Sequence, residues 1–346
     1  MRDGAILLDQ VQEVRDLPIG WTDEQEAGSY RVHARDSRSL FAYAVGPRSP
    51  RRFLSTPRRT LWSGQRTADG FAIEVARPDS PRYAFIGVKA CELAAVAVHD
   101  RVLRDGPHPD DAYVRARDQA FFVGVSCGNP ASTCFCASMG TGPAVETGHD
   151  LALTEMLDGD RHELLVEVGT ERGAEVVAEV QLAASWRDAV AEDFVDARTI
   201  VSRSVEKMTR QMNPVAARDV LAANLDHPRW DDVAGRCLSC TNCKLVGATC
   251  FCSATEDVTS LDGDGVERVQ RWDSCFTPGH SELHGAGSVR GATRPRYRQW
   301  LTHKLSTWWD QFGESGCVGC GRCISWCPAG IDLTEEVAAI ATGESR

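Results

Sequence analysis

Between residues 80 and 185 the chain alternates short apolar runs with amphipathic stretches. Residues 83–88 and 120–125 are continuous apolar runs of strand length, and 163–168 is a third. Residues 92–103 carry Leu93, Val96, Ala97 and Leu103 on one side and predict a helix between the first two strands. Thr170 followed by Glu171 is a start signal for another helix, predicted to end near Leu182. Strand, helix and strand in this order predict a right-handed parallel crossover. The first eighty residues read as short strands and turns, with a turn-rich stretch at 47–57. After residue 200 the pattern turns helical. Residues 199–225 predict one long helix and 296–312 another, whose stripe of Tyr297, Leu301, Leu305, Trp308 and Trp309 predicts a packed face. The expected fold is an α/β N-terminal domain with a partly parallel sheet (1–200) and a mainly helical C-terminal ferredoxin-like dicluster domain (201–346).

The cysteines give the second part its chemistry. Cys317, Cys320, Cys323 and Cys327, followed by Pro328, form a Cys-x2-Cys-x2-Cys-x3-Cys-Pro run. That spacing wraps three thiolates round one 4Fe–4S cluster and sends the fourth to a neighbouring cluster, as in bacterial ferredoxins. Zinc sites instead pair two Cys-x2-Cys halves across a longer gap. Gly319 and Gly321 allow the tight turns that bring amide groups toward the sulfides. The crossing rule calls for a second motif, and Cys237, Cys240 and Cys243 supply its first three positions. Cluster 1 is therefore assigned to Cys237, Cys240, Cys243 and Cys327. Cluster 2 takes Cys317, Cys320 and Cys323 and lacks its natural fourth ligand, because Gly247 stands at that position. Three solutions fit the sequence: Cys250 reaches in, another ligand such as Cys252, Cys275 or water does so, or the cluster is 3Fe–4S. Cys250 is the first choice, since it lies three residues beyond Gly247.

Cys91 and Cys127 follow the first two predicted strands of the crossover, whose C-terminal ends lie at one sheet edge, where open α/β sheets place ligands. Cys134 and Cys136 come next, and Cys127-x6-Cys134-x-Cys136 repeats the spacing of Cys243-x6-Cys250-x-Cys252. Cys91, Cys127, Cys134 and Cys136 are thus candidate ligands of a third 4Fe–4S cluster. The plainer reading is four buried thiols.

Composition narrows the function classes. The net charge is −11, which argues against nucleic-acid binding. The N-terminus has no signal-peptide pattern, and no run approaches the roughly 18 apolar residues of a membrane span. Fourteen cysteines in metal-type groups, rather than a disulfide framework, suit a reducing cytoplasm. Gly140 and Gly142 lack the third glycine of a dinucleotide fingerprint, and no P-loop is present. No metal-hydrolase histidine pair occurs.

Residues 272–275, 298–304 and 317–323 resemble the β subunit of soluble cytoplasmic nickel–iron hydrogenases (sulfhydrogenases) and the related iron–sulfur subunit of anaerobic sulfite reductases. Residues 87–93, 126–127 and 134–143 carry the likeness into the first half. The resemblance implies an electron-transfer subunit with two 4Fe–4S clusters. Its implied partners are a hydrogenase or reductase catalytic subunit together with a flavin- and NAD(P)-binding subunit. In the family the first motif continues Cys-Pro-Thr-Cys-x-Cys, whereas here Gly247 and Ala248 replace the Cys-Pro pair. The competing expectations are a sulfite-reductase-type relay and a metal-dependent scaffold whose degraded motif has lost redox function.

Overall fold

The computed structural model describes residues 1, 3–76, 81–183 and 185–343. The chain opens with a hairpin of β1 (Trp21–Glu26) and β2 (Ser29–Ala34). The turn-rich stretch near residue 50 contains a one-turn helix, α1 (Arg51–Leu54), and leads into the hairpin β3 (Arg58–Thr67) and β4 (Gly70–Val75). The crossover follows as expected: β5 (Ala84–Lys89), then α2 (Ala90–Leu103) and a second helix, α3 (Asp111–Gln119), then β6 (Phe121–Val125) parallel to β5. The sheet continues with β7 (Leu151–Asp158), parallel to β6, and closes with β8 (Arg161–Val168), antiparallel to β7. Thr170 caps α4 (Glu171–Gln181), its side chain accepting from the Gly173 amide.

The long helix expected over 199–225 is two helices, α5 (Ala191–Lys207) and α6 (Pro214–Ala223). Pro214 explains the break: it has no amide hydrogen for the ladder and suits the first position of a helix, where Asn213 caps it. The first cysteine motif runs from the end of α7 (Arg229–Arg236) into the one-turn α8 (Asn242–Leu245). Next comes the hairpin β9 (Ser253–Thr259) and β10 (Gly265–Trp272). α9 (Thr293–Thr302) and α10 (Trp308–Phe312) are joined by a π-helical turn, His303–Thr307. The one-turn α11 (Arg322–Ser325) and α12 (Leu333–Thr342) complete the chain.

β10 pairs with β3, so one antiparallel sheet in the order β4-β3-β10-β9 takes two strands from each half. The largest core lies under the cysteine motifs, where Trp230, Leu221, Leu301, Leu305 and Ile324 pack with Phe276, Tyr297 and Trp300. The stripe read from the sequence is its spine: Tyr297, Leu301, Leu305 and Trp308 are buried, and Trp309 lies at the rim with the Arg218 guanidinium over its ring. Among the described residues no helix is long and apolar enough to cross a membrane.

Leu305 is fully buried in this core, and Leu261 is fully exposed at the tip of the β9–β10 hairpin. Leu305→Ala should lower stability by about 2–5 kcal/mol through lost burial and the cavity left behind. Leu261→Ala should change it by less than about 0.5 kcal/mol. Thermal unfolding of the two variants beside the parent checks both.

Candidate metal centre

The fourteen cysteines form no disulfide. Twelve of them gather in three neighbouring sets. The first set is built on α7, which is held down by buried Trp230, whose indole donates to the Asn224 carbonyl at 2.8 Å. Arg229 and Arg236 clasp Glu336 of α12 at 2.6 and 2.5 Å. Cys237 is the residue that ends α7, and the Ser239 amide points at its sulfur from 3.4 Å. Cys237, Cys240, Cys243 and Cys327 line one hollow whose walls are Phe276, Tyr297, Trp300, Ile331 and Leu333. Burial raises the Cys237 thiol pKa and pushes that of Cys243 well above its usual value, and neighbouring thiols add to the rise. Four thiols lining one largely apolar hollow suit a cationic metal core, which would remove the mutual repulsion of their thiolates.

The second hollow is lined by Cys317, Cys320, Cys323, Gly247 and Lys304, and it touches the first through Cys243 and Cys323. Buried Cys250 is the cysteine beside Gly247. A Cβ built on Gly247 would fall 2.7 Å from the Cys250 Sγ. The Cys250 sulfur therefore fills the space where a side chain at 247 would begin, and it exerts its charge on both Cys317 and Cys243. Burial takes the Cys317 thiol up to about 11, with Cys320 and Cys250 adding to the rise and Lys304 opposing it. The loop that presents Cys250 is fixed from behind: the Arg51 guanidinium donates to the carbonyls of Lys244, Leu245 and Gly247 at 3.2–3.4 Å. Cys252 and Cys275, the other candidate ligands, are directed at each other. A hydrogen bond from Cys275 brings Cys252 down to about 5, with Lys244 and His280 assisting against burial.

Cys91, Cys127, Cys134 and Cys136 line a third hollow with Ala44, Val45, Lys89, Pro130, Pro143 and Met208. The parallel pairing of β5 and β6 places Cys91, in the first turn of α2, and Cys127 at the same sheet edge. Burial, then Cys127 and Cys320, raise Cys136 to about 12, and Cys134 rises well above its ordinary value for the same reasons. The Cys134 thiol donates to the Cys320 carbonyl at 3.9 Å, so the third set adjoins the second. The order is thus first, second, third. Among the described residues no three His, Cys, Asp or Glu side chains are close enough to hold a single metal ion. A cluster spreads its thiolates round a larger core.

The two cysteine motifs share one backbone shape. Ser239 and Thr241 have φ of 50° and 67°, matching Gly319 and Gly321 at 61° and 74°, and each motif then enters a one-turn helix. Glycine is required only in the second motif, because that loop is pressed against the 133–136 loop. A Cβ on Gly319 would lie 2.7 Å from the Cys136 backbone, and one on Gly321 2.5 Å from the Thr133 carbonyl. Beside the first motif Leu238 and Cys240 are exposed, and a side chain has room. Buried cations stand around the sets, among them Arg51, Lys89, Lys244 and Arg322; none is foreseeable from sequence, because a lone Lys or Arg carries no spacing signal. Arg322 pairs with Glu92 of α2 and donates to the Gly46 carbonyl at 2.6 Å, tying the second motif to the third set.

Thr241→Gly should stabilise the protein by about 1 kcal/mol, since a β-branched residue at positive φ is strained. Gly319→Ala and Gly321→Ala should destabilise it by more than that and reduce bound iron. Unfolding temperature and iron content, measured together, distinguish the two motifs.

Residues 236–331 match the 4Fe-4S dicluster domain family. The chain is 31% identical over 295 residues to the sulfhydrogenase 2 subunit beta of Pyrococcus furiosus, covering 85% of this chain and 83% of that one. No solved structure gives a significant match. The spacing of the cysteines, the hollows they line and this likeness along most of the chain agree: the protein belongs to the sulfhydrogenase β-subunit family of iron–sulfur electron-transfer proteins.

Proposed function

We propose that this chain carries three 4Fe–4S clusters and relays electrons between a flavin- and NAD(P)-linked partner and the catalytic subunit of a cytoplasmic hydrogenase-type complex. The observation that supports it best is the contiguity of the three cysteine sets, the second sharing Cys243 and Cys323 with the first and touching the third through Cys320. Cluster 1 is assigned to Cys237, Cys240, Cys243 and Cys327. Cluster 2 takes Cys317, Cys320 and Cys323 with Cys250 in place of the absent cysteine at 247, and the third takes Cys91, Cys127, Cys134 and Cys136. When bound, such clusters supply reversible one-electron transfer, with potentials set by net charge, hydrogen bonds to sulfur and exposure.

The protein's own residues supply the rest. Phe276, Tyr297, Trp300 and Ile331 keep water from the first set, and the Ser239 amide donates to its sulfur. Exposed Cys240 and Leu238 (68% exposed) make the first set the one nearest solvent, and hence the natural face for a redox partner. The third set is buried on all four cysteines, which suits an inner position in the relay. The likeness to a sulfhydrogenase subunit favours a hydrogenase complex over a sulfite-reductase complex.

Iron counting with electron paramagnetic resonance, on protein purified without oxygen, tests the assignment. About twelve irons per chain are expected, and Cys250→Ala and Cys134→Ala should each lose about four or convert one cluster to a three-iron form. Eight irons unaffected by Cys134→Ala would reduce the N-terminal set to buried thiols. A three-iron signal already present in the parent protein would rule out Cys250 as a ligand. Capture of the tagged chain from its own host should bring down a flavoprotein together with a nickel–iron subunit; a sirohaem subunit instead would move the chain to the sulfite reductases.

A further inference from the structure

The second hollow contains a cation as well as thiols. Lys304 lines it together with Cys317, Cys320 and Cys323, and its Nζ donates to the Thr249 hydroxyl at 2.5 Å and to the Gly316 carbonyl at 3.4 Å. Thr249 precedes Cys250, and Gly316 precedes Cys317, so one ammonium holds both loops that deliver ligands to this set. The Gly316 amide in turn donates to the Lys304 carbonyl at 2.9 Å. Among the described residues no carboxylate pairs with Lys304, and the groups near it that can carry negative charge are the thiols of Cys250, Cys317, Cys323 and Cys320. Its position depends on the π-helical turn His303–Thr307, where one extra residue interrupts an otherwise regular helix. Such turns cost helix regularity and recur at functional sites. Here the turn lets Leu305 and Ser306 bury in the core while Lys304 reaches the thiols.

A half-buried ammonium in a thiol-lined hollow, without a carboxylate, is costly unless another anion faces it. A cluster held by four thiolates is such an anion, and it becomes more negative on reduction. A fixed positive charge lining the same hollow favours the reduced form and so raises the potential. We propose that Lys304 is the charge partner of cluster 2: it sets that cluster's reduction potential above the value its four thiolates would give alone. The proposal rests on the cluster assignment given above, and it concerns a residue that is not itself a ligand.

The test is a redox titration, followed by electron paramagnetic resonance, of the full-length protein and three variants. The signal of the second cluster is identified by its loss in Cys317→Ala. Lys304→Gln keeps a hydrogen-bond donor and removes the charge, Lys304→Met removes both, and Lys304→Arg keeps the charge. The expected result is full iron content in all three, with the second cluster's oxidised-to-reduced ratio at fixed potential rising about tenfold or more in the Gln and Met variants. For a one-electron couple that is a downward shift of about 59 mV. Lys304→Arg should stay close to the parent.

An unchanged potential in Lys304→Gln and Lys304→Met would overturn the proposal, as would equal shifts in all three variants, which a purely steric role would give. If the Gln and Met variants lose the second cluster while Arg retains it, the requirement for charge is upheld at the stage of assembly. Loss in all three would overturn it and assign Lys304 to packing or ligation. Failure of the cluster assignment itself would be visible in the parent protein, as absence of the signal that Cys317→Ala removes, before any Lys304 variant is compared.

Discussion

Sulfur crowded together and buried is the constraint on which the rest of this structure depends. Three sets of thiols lie within contact of one another, and burial together with mutual repulsion holds most of them above their ordinary pKa. Positive charge, from a metal core within and from the protein without, is what would let these sulfurs carry negative charge. The protein's contribution is visible. Burial lowers the Arg51 pKa to about 10, yet the group remains a cation, and it stacks over Trp272 at 3.6 Å while gripping the loop before Cys250. Lys244 donates to the Cys252 carbonyl at 3.0 Å. Arg322 is completely buried between the second and third sets, its charge balanced by Glu92. The walls are apolar and the corners are cationic, which is the division expected of a site that stores negative charge.

How much of this was legible in the sequence follows from which constraints are local. The ferredoxin-type spacing is local, because three ligands of one cluster must come from a single tight loop, and Cys317 to Cys327 announced it. The crossover was legible for the same reason: the runs at 83–88 and 120–125 are buried strands flanking a helix. β7 was missed, although it lies between β6 and β8, since residues 151–158 mix Thr, Glu and Asp into the apolar run. The α5–α6 break was written in Pro214, and the periodicity of the flanking segments masked it. Nothing local announced the π-helical turn, which is fixed by what Lys304 and Leu305 must each touch.

The absent cysteine at 247 shows the limit from the other side. Sequence alone left Cys250, Cys252, Cys275, water and iron loss as candidate solutions. Geometry favours the first, because Cys252 and Cys275 face each other while the Cys250 sulfur stands where a side chain at 247 would begin. On the proposed assignment a ligand has moved three residues along a loop without moving in space. That requires a loop anchored from behind, as Arg51 anchors this one.

The sheet shared between the two halves bears on how such a protein could have arisen and how it can be taken apart. β3 and β4 precede the cysteine motifs by more than a hundred residues, yet they complete the sheet of β9 and β10, which lies between those motifs. Gly319 and Gly321 are fitted against the 133–136 loop from the first half. The segment that looks like a small ferredoxin inserted in a longer chain is therefore not a removable cartridge. Cut out at its sequence borders, it would expose the pairing edge of β10 and the bare face of its second cysteine loop. Its sequence borders are those of a module and its architecture is not.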